Sequence, residues 1–83
     1  MSQSYTSAFV NKLVTDFQKG EKITSFNKLK ELVKNNPKDE IARYNLAIMC
    51  EQLNQIDLAR EHYNKIIKKN SNHWKSIFNL YLI

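Results

Sequence analysis

Tyr44-Asn45-Leu46-Ala47-Ile48 returns thirty-four residues later as Phe78-Asn79-Leu80-Tyr81-Leu82, and the reading of that echo decides the fold. Outward from it, Ser25, Leu29, Leu32, Val33 and Asn36 are answered at the same distance by Ala59, Tyr63, Ile66, Ile67 and Asn70. An interval of this length marks a helical repeat, because one helix pair buries its apolar face only by stacking on a neighbour. The expected class is all-α.

Apolar periodicity places the helices. The first pattern runs from about Ser4 to Gln18, with Phe9, Val10, Leu13, Val14 and Phe17 on one face, and breaks at Gly20. A second begins near Lys22 or Ile23, carries Ser25, Phe26, Leu29, Leu32 and Val33, and ends in Asn35 and Asn36. Asn36 is the expected N-cap of the third helix: Pro37 at the first helical position forfeits no hydrogen bond, and Asp39 and Glu40 suit the positive end of the dipole. That helix yields near Asn54 to a fourth, from about Ile56 to Asn70, and Ser71 is the expected cap of a fifth that holds His73 to Ile83.

These residues resemble a tetratricopeptide repeat, a helix-turn-helix unit with large and small residues at fixed places. The resemblance is clearest from Glu40 to His73, with Tyr44-Asn45-Leu46-Ala47 in the first helix of the unit and Ala59, Tyr63 and Ile66 in the second. It implies a short right-handed α-solenoid of antiparallel helix pairs, a single domain over residues 1–83. Its first repeat spans about residues 6–39 and its second about 40–73, followed by a partial third or terminal helix over 74–83. Small side chains at Ala47 and Ala59 allow close helix approach while Leu46 and Tyr63 fill the seam. In the first unit, strict counting would bury Lys12 and Asp16. A one-residue shift buries Val10, Leu13, Val14 and Phe17 instead and implies a turn near Gly20 one residue shorter, since burying unpaired charge costs several kcal/mol.

Composition narrows the chemistry. The sole cysteine, Cys50, allows no internal disulfide and fits a cytoplasmic setting, and no run approaches the ~20 apolar residues of a membrane span. His62, His73 and Cys50 form no metal-ligand spacing, and a single glycine excludes a phosphate loop. No catalytic residue, metal or cofactor is expected, and the chain reads as a binding module rather than an enzyme.

In the resembled family, partners lie in a concave groove lined by the first helix of each unit. The carry-over implies Ile41, Tyr44, Asn45, Ile48 and Gln52 from the second unit, and Lys75, Phe78 and Asn79 from the third. From the first it implies Asn11, Thr15 and Gln18 in the shifted register, or Val10 and Val14 in the strict one. Asn45 and Asn79 could bracket an extended peptide, because an amide both donates and accepts. A branch of the family that clamps a terminal carboxylate is matched only at Asn45 and Lys75, with Asn79 where its arginine belongs, too little convergent charge for that ligand.

The partner is therefore expected to be another protein or a peptide. A second reading is a homodimer through Trp74, Ile77, Tyr81 and Leu82, because the fifth helix is apolar and lacks a partner helix. It also admits docking on a longer array. A third is an anionic partner, a nucleic acid or a charged surface, met by Lys28, Lys34, Lys65, Lys68 and Lys69. A net charge of +5 spread from Lys12 to Lys75 makes this the weakest of the three.

Overall fold

Apolar stripes at helical spacing produce helices throughout. A computed structural model describes the backbone of residues 2–83 and the side chains of residues 7–83. Met1, the first residue of the predicted domain, lies outside the described residues. The elements are α1 (Ser2–Gln18), α2 (Lys22–Asn35), α3 (Glu40–Gln52), α4 (Ile56–Lys69) and α5 (Trp74–Leu82). Among the described residues there is no strand, and the chain is all-helical. No helix among them is long and apolar enough to cross a membrane.

Each helix packs on its sequence neighbour, and α1 also packs on α3. The shortest dimension is 18 Å, room for two layers of helices that are each about 10 Å across. The core draws on Val10, Leu13 and Phe17 of α1, Leu29 and Val33 of α2, Leu46 and Met49 of α3, and Ala59 and Tyr63 of α4. α4 is the most one-sided: Ala59, Tyr63 and Ile66 are buried, Asp57 occupies its first turn, and Lys68 and Lys69 complement the dipole in its last.

The two helical hairpins turn alike. Gly20 (φ 113°) and Asn54 (φ 61°), thirty-four apart, are the only described residues with positive φ. Behind each, the same pair of bonds closes the helix: Gly20 and Glu21 N–H to the carbonyls of Phe17 and Asp16, and Asn54 and Gln55 N–H to those of Glu51 and Cys50. Only glycine adopts the Gly20 value freely, whereas asparagine tolerates the left-handed helical value at Asn54.

The expected shortening of the first turn is therefore corrected, since residues 19–21 and 53–55 form turns of one length. α1 instead presents a different face. Val10, Leu13 and Phe17 are buried, while Lys12 and Asp16 pair at the surface, Nζ to Oδ2 3.1 Å. Their thirty-four-residue equivalents Leu46 and Cys50 are buried in α3. Rotating a helix costs less than desolvating two charges.

Both predicted caps move as well. Asn36 closes α2, and Asp39 caps α3 through its carboxylate, which accepts from Ala42 N–H at 3.0 Å. Pro37 sits in the turn before the helix, where the Asp39 N–H bonds back to the Asn36 carbonyl. Ser71 is likewise a turn residue, and His73 caps α5 by accepting from Ser76 N–H on Nδ1. The 36–39 and 70–73 connections share one geometry, because His73 N–H returns to the Asn70 carbonyl as Asp39 does to Asn36.

Ala59, fully buried where α4 meets its neighbours, has no room to grow. Ala59→Leu should cost about 1–3 kcal/mol through overpacking. Thermal unfolding followed by circular dichroism checks this, and an unchanged midpoint contradicts the packing.

Candidate functional site

The residues expected to line a binding groove fall into two groups. Tyr44 of α3 and Asn79 of α5 meet directly, with Asn79 Nδ2 donating to the Tyr44 hydroxyl at 2.9 Å. The same amide reaches the Tyr63 hydroxyl at 3.3 Å, and Tyr63 donates in turn to the Glu51 carboxylate. Burial, and then the bond to Glu51, push the Tyr63 hydroxyl well above its ordinary pKa, so it stays a donor. The Tyr44 ring packs against Tyr63 and against His73 with centroids 6.0 and 5.5 Å apart. Asn79 thus joins three helices, and its amide hydrogens are committed within the fold.

Asn45 is half-buried and donates to its own helix, Nδ2 to the Ile41 carbonyl at 2.8 Å. Ile41, Gln52, Lys75 and Phe78 are exposed, and Ile48 packs partly on the core. On α1, Asn11 and Thr15 are exposed, with Thr15 Oγ1 donating to the Asn11 carbonyl. Gln18 is exposed as well, Val10 is fully buried and Val14 packs partly on the core, so the shifted register describes the exposed face of α1. At roughly 100° per residue, Ile41, Asn45, Ile48 and Gln52 share one side of α3.

Of the residues expected to self-associate, Trp74, Ile77, Tyr81 and Leu82 are all exposed, Trp74 and Tyr81 at 67 and 86 %. None of them has joined the core. Ser76, on the opposite side of α5, is the residue that α5 buries. It lies thirty-four after Ala42, another fully buried small residue.

Cys50 is buried, and that burial pushes its thiol up to about 11, which keeps it protonated. Among the described residues no cluster of three or more His, Cys, Asp or Glu could hold a metal ion.

The opposite side of α3 carries charge. Arg43 Nη1 donates to His62 Nδ1 at 3.0 Å, and Nη2 to the Pro37 carbonyl at 3.3 Å. Around them open linked recesses bounded by Lys34, Lys65, Lys68 and Lys69, four of the five lysines expected to meet an anion. Lys28 stands apart, in a shallow hollow beside Phe9 and Leu32. Lys30, Lys38 and Arg43 join the recesses without having been expected there; the spacing of four between Lys30 and Lys34 on α2 is a signal for the first, and no comparable spacing marks Arg43.

Compared with family models, with curated proteins and with solved structures, the chain finds no match. The likeness to tetratricopeptide repeats stands on the residues alone.

Burial, reinforced by Arg43, pushes His62 down from 6.5 to about 4. Between those values unfolded chains bind a proton that folded ones refuse. Stability from this residue is complete above pH 6.5 and drains as pH falls toward 4, by a total on the order of 1–3 kcal/mol. His62→Gln keeps an acceptor for Arg43 and should flatten that part of the stability profile. Urea midpoints for both proteins across this range check it.

Proposed function

We propose that the chain is a non-catalytic helical-repeat module of tetratricopeptide type that binds another protein or a peptide. In this reading α1, α3 and α5 form one layer and α2 and α4 the other, and the partner lies along the first. The observation that supports it is recurrence at thirty-four residues of several independent features: positive φ at Gly20 and Asn54, and the turns at 36–39 and 70–73. Small buried residues recur in the same way, as Ser25 and Ala59 and as Ala42 and Ser76. A repeat that buries small residues at matching places stacks by close approach of its helices, and stacked helix pairs create extended faces.

On that face the exposed residues Gln52, Lys75 and Phe78, with half-buried Asn45, are the groups a partner meets, while Tyr44 and Asn79 hold the surface in shape. The triple variant Asn45→Ala, Gln52→Ala, Lys75→Ala should reduce recovery of a specific partner in pull-downs to background, with an unchanged helical spectrum. Undiminished recovery would remove the groove from the account.

A second reading is self-association through α5, favoured by Trp74, Ile77, Phe78, Tyr81 and Leu82 all standing exposed on one short helix. At helical spacing these five fall on one side of α5, and a contiguous exposed apolar patch marks an interaction site. Sedimentation velocity across a hundredfold concentration range should then show a concentration-dependent dimer that Trp74→Ser with Tyr81→Ser abolishes. A monomer at every concentration excludes it.

A further inference from the structure

The side of α3 away from the proposed groove carries a second surface with its own chemistry. At roughly 100° per residue, Arg43 and Leu46 lie opposite Asn45, Ile48 and Gln52 on the helix. Here α2, the 36–39 turn, α3 and α4 surround an open cleft of about 350 Å³ that adjoins a more enclosed recess of about 510 Å³. Its floor is apolar, made by Val33, Pro37, Leu46 and Leu58. Its rim is cationic, with Lys30 and Lys34 on one wall, Lys65 and Lys69 on the other, and Lys38 and Arg43 at the end.

The acidic groups nearby are already occupied. Asp39 caps α3, Glu40 Oε1 accepts from Asn70 at 3.1 Å, and Glu61 stands 3.7 Å from Lys65 on the solvent side of α4. Among the described residues no carboxylate reaches Arg43, Lys30, Lys34, Lys38 or Lys69 within 4.0 Å. The Arg43 guanidinium is held by two neutral acceptors, the imidazole of His62 and the Pro37 carbonyl, so its place is fixed while its charge stays uncompensated. A cation held in place as Arg43 is, beside an apolar floor, favours an anionic group more strongly than a mobile one does, because little order is lost on binding.

We propose that this cleft docks an acidic peptide segment that places one aliphatic side chain on the Val33–Leu46–Leu58 floor and its carboxylates on the surrounding lysines and Arg43. The floor distinguishes this occupant from the other anions. A phosphodiester strand gains from aromatic platforms for its bases, and none of the residues lining the cleft is Phe, Tyr or Trp. A flat lipid surface does not follow a cleft floor, and the exposed aromatic residues that could enter a membrane stand away from the cleft, Phe9 on α1 and Trp74, Phe78 and Tyr81 on α5. Alternating acidic and aliphatic side chains satisfy both rim and floor.

The test uses fluorescence anisotropy of the whole chain with a labelled Glu-Asp-Leu-Glu-Asp-Leu-Glu-Asp peptide, its Leu→Ser analogue and a ten-nucleotide oligouridylate, at about 50 mM salt so that screening is weak. The Leu-containing peptide should bind, and the Ser analogue about fivefold more weakly or worse. Lys34→Glu with Lys65→Glu should weaken binding about tenfold or more. The control Lys12→Glu with Lys19→Glu makes the same change in net charge at exposed positions outside the cleft and should leave affinity within about twofold. Circular dichroism establishes that both double variants keep the helical spectrum. The proposal is overturned by no peptide binding, by equal affinity for the Ser analogue, by equal loss in the control, or by tighter binding of the oligouridylate.

Discussion

The seam between α3 and α4 fixes the positions of everything around it. Ala42 and Ala47 on one helix and Ala59 on the other are fully buried, which lets the backbones approach closely, and Tyr63 fills the space that remains. A buried tyrosine brings a hydroxyl that must find partners, because an unpaired one costs about 1–3 kcal/mol. Glu51 accepts its proton and Asn79 donates to its oxygen, so satisfying Tyr63 also attaches α5. On the far side of the seam Arg43 reaches His62 across the same pair of helices. One packing decision thereby orients both surfaces of the molecule.

The helices were legible in the sequence because each has an apolar stripe and a polar remainder, and their limits fall within a few residues of the periodic patterns. The caps were not. Pro37 satisfies the rule for a first helical residue, yet the chain spends 36–39 on a turn and starts α3 at Glu40, where the Asp39 carboxylate reaches Ala42 N–H. His73 was concealed by its identity, since an imidazole caps less often than Ser71, and only the equivalence with Asp39 at thirty-four residues reveals it. The rotation of α1 was half legible: the charges at Lys12 and Asp16 announce that the face has changed, and nothing in the sequence says whether the turn or the helix gives way.

The two proposed surfaces were legible unevenly for a related reason. The proposed groove along α3 and α5 can be read from two short stretches whose members are spaced like Asn45 and Asn79. What sequence spacing conceals is which amides remain free. Asn79 is consumed by two tyrosines, one of which lies on a third helix, and the donor of Asn45 turns back on Ile41. The cationic cleft is harder still, because its walls come from α2, the following turn, α3 and α4. Along the chain these residues look like ordinary solvated faces, and only the fold brings them around one apolar floor.

The two surfaces differ in how far the molecule has satisfied itself. Between α3 and α5 the polar groups bond to one another: Tyr44, Tyr63, Glu51 and Asn79 form a closed set, and Glu40 holds Asn70 beside His73. In the cleft Lys65 alone has an acidic neighbour, Glu61; among the described residues no carboxylate reaches Lys30, Lys34, Lys38, Arg43 or Lys69 within 4.0 Å, and like charges held near one another oppose folding. A chain of this size has a small stability margin, so such repulsion is a measurable fraction of it. Any ligand that binds only the folded chain stabilises it in proportion to the logarithm of ligand concentration over its dissociation constant. An acidic occupant adds relief of the lysine repulsion to that linkage, whereas a partner in the groove has little unpaired charge to relieve. Salt separates the two contributions, because screening weakens the first and leaves apolar contact almost unchanged.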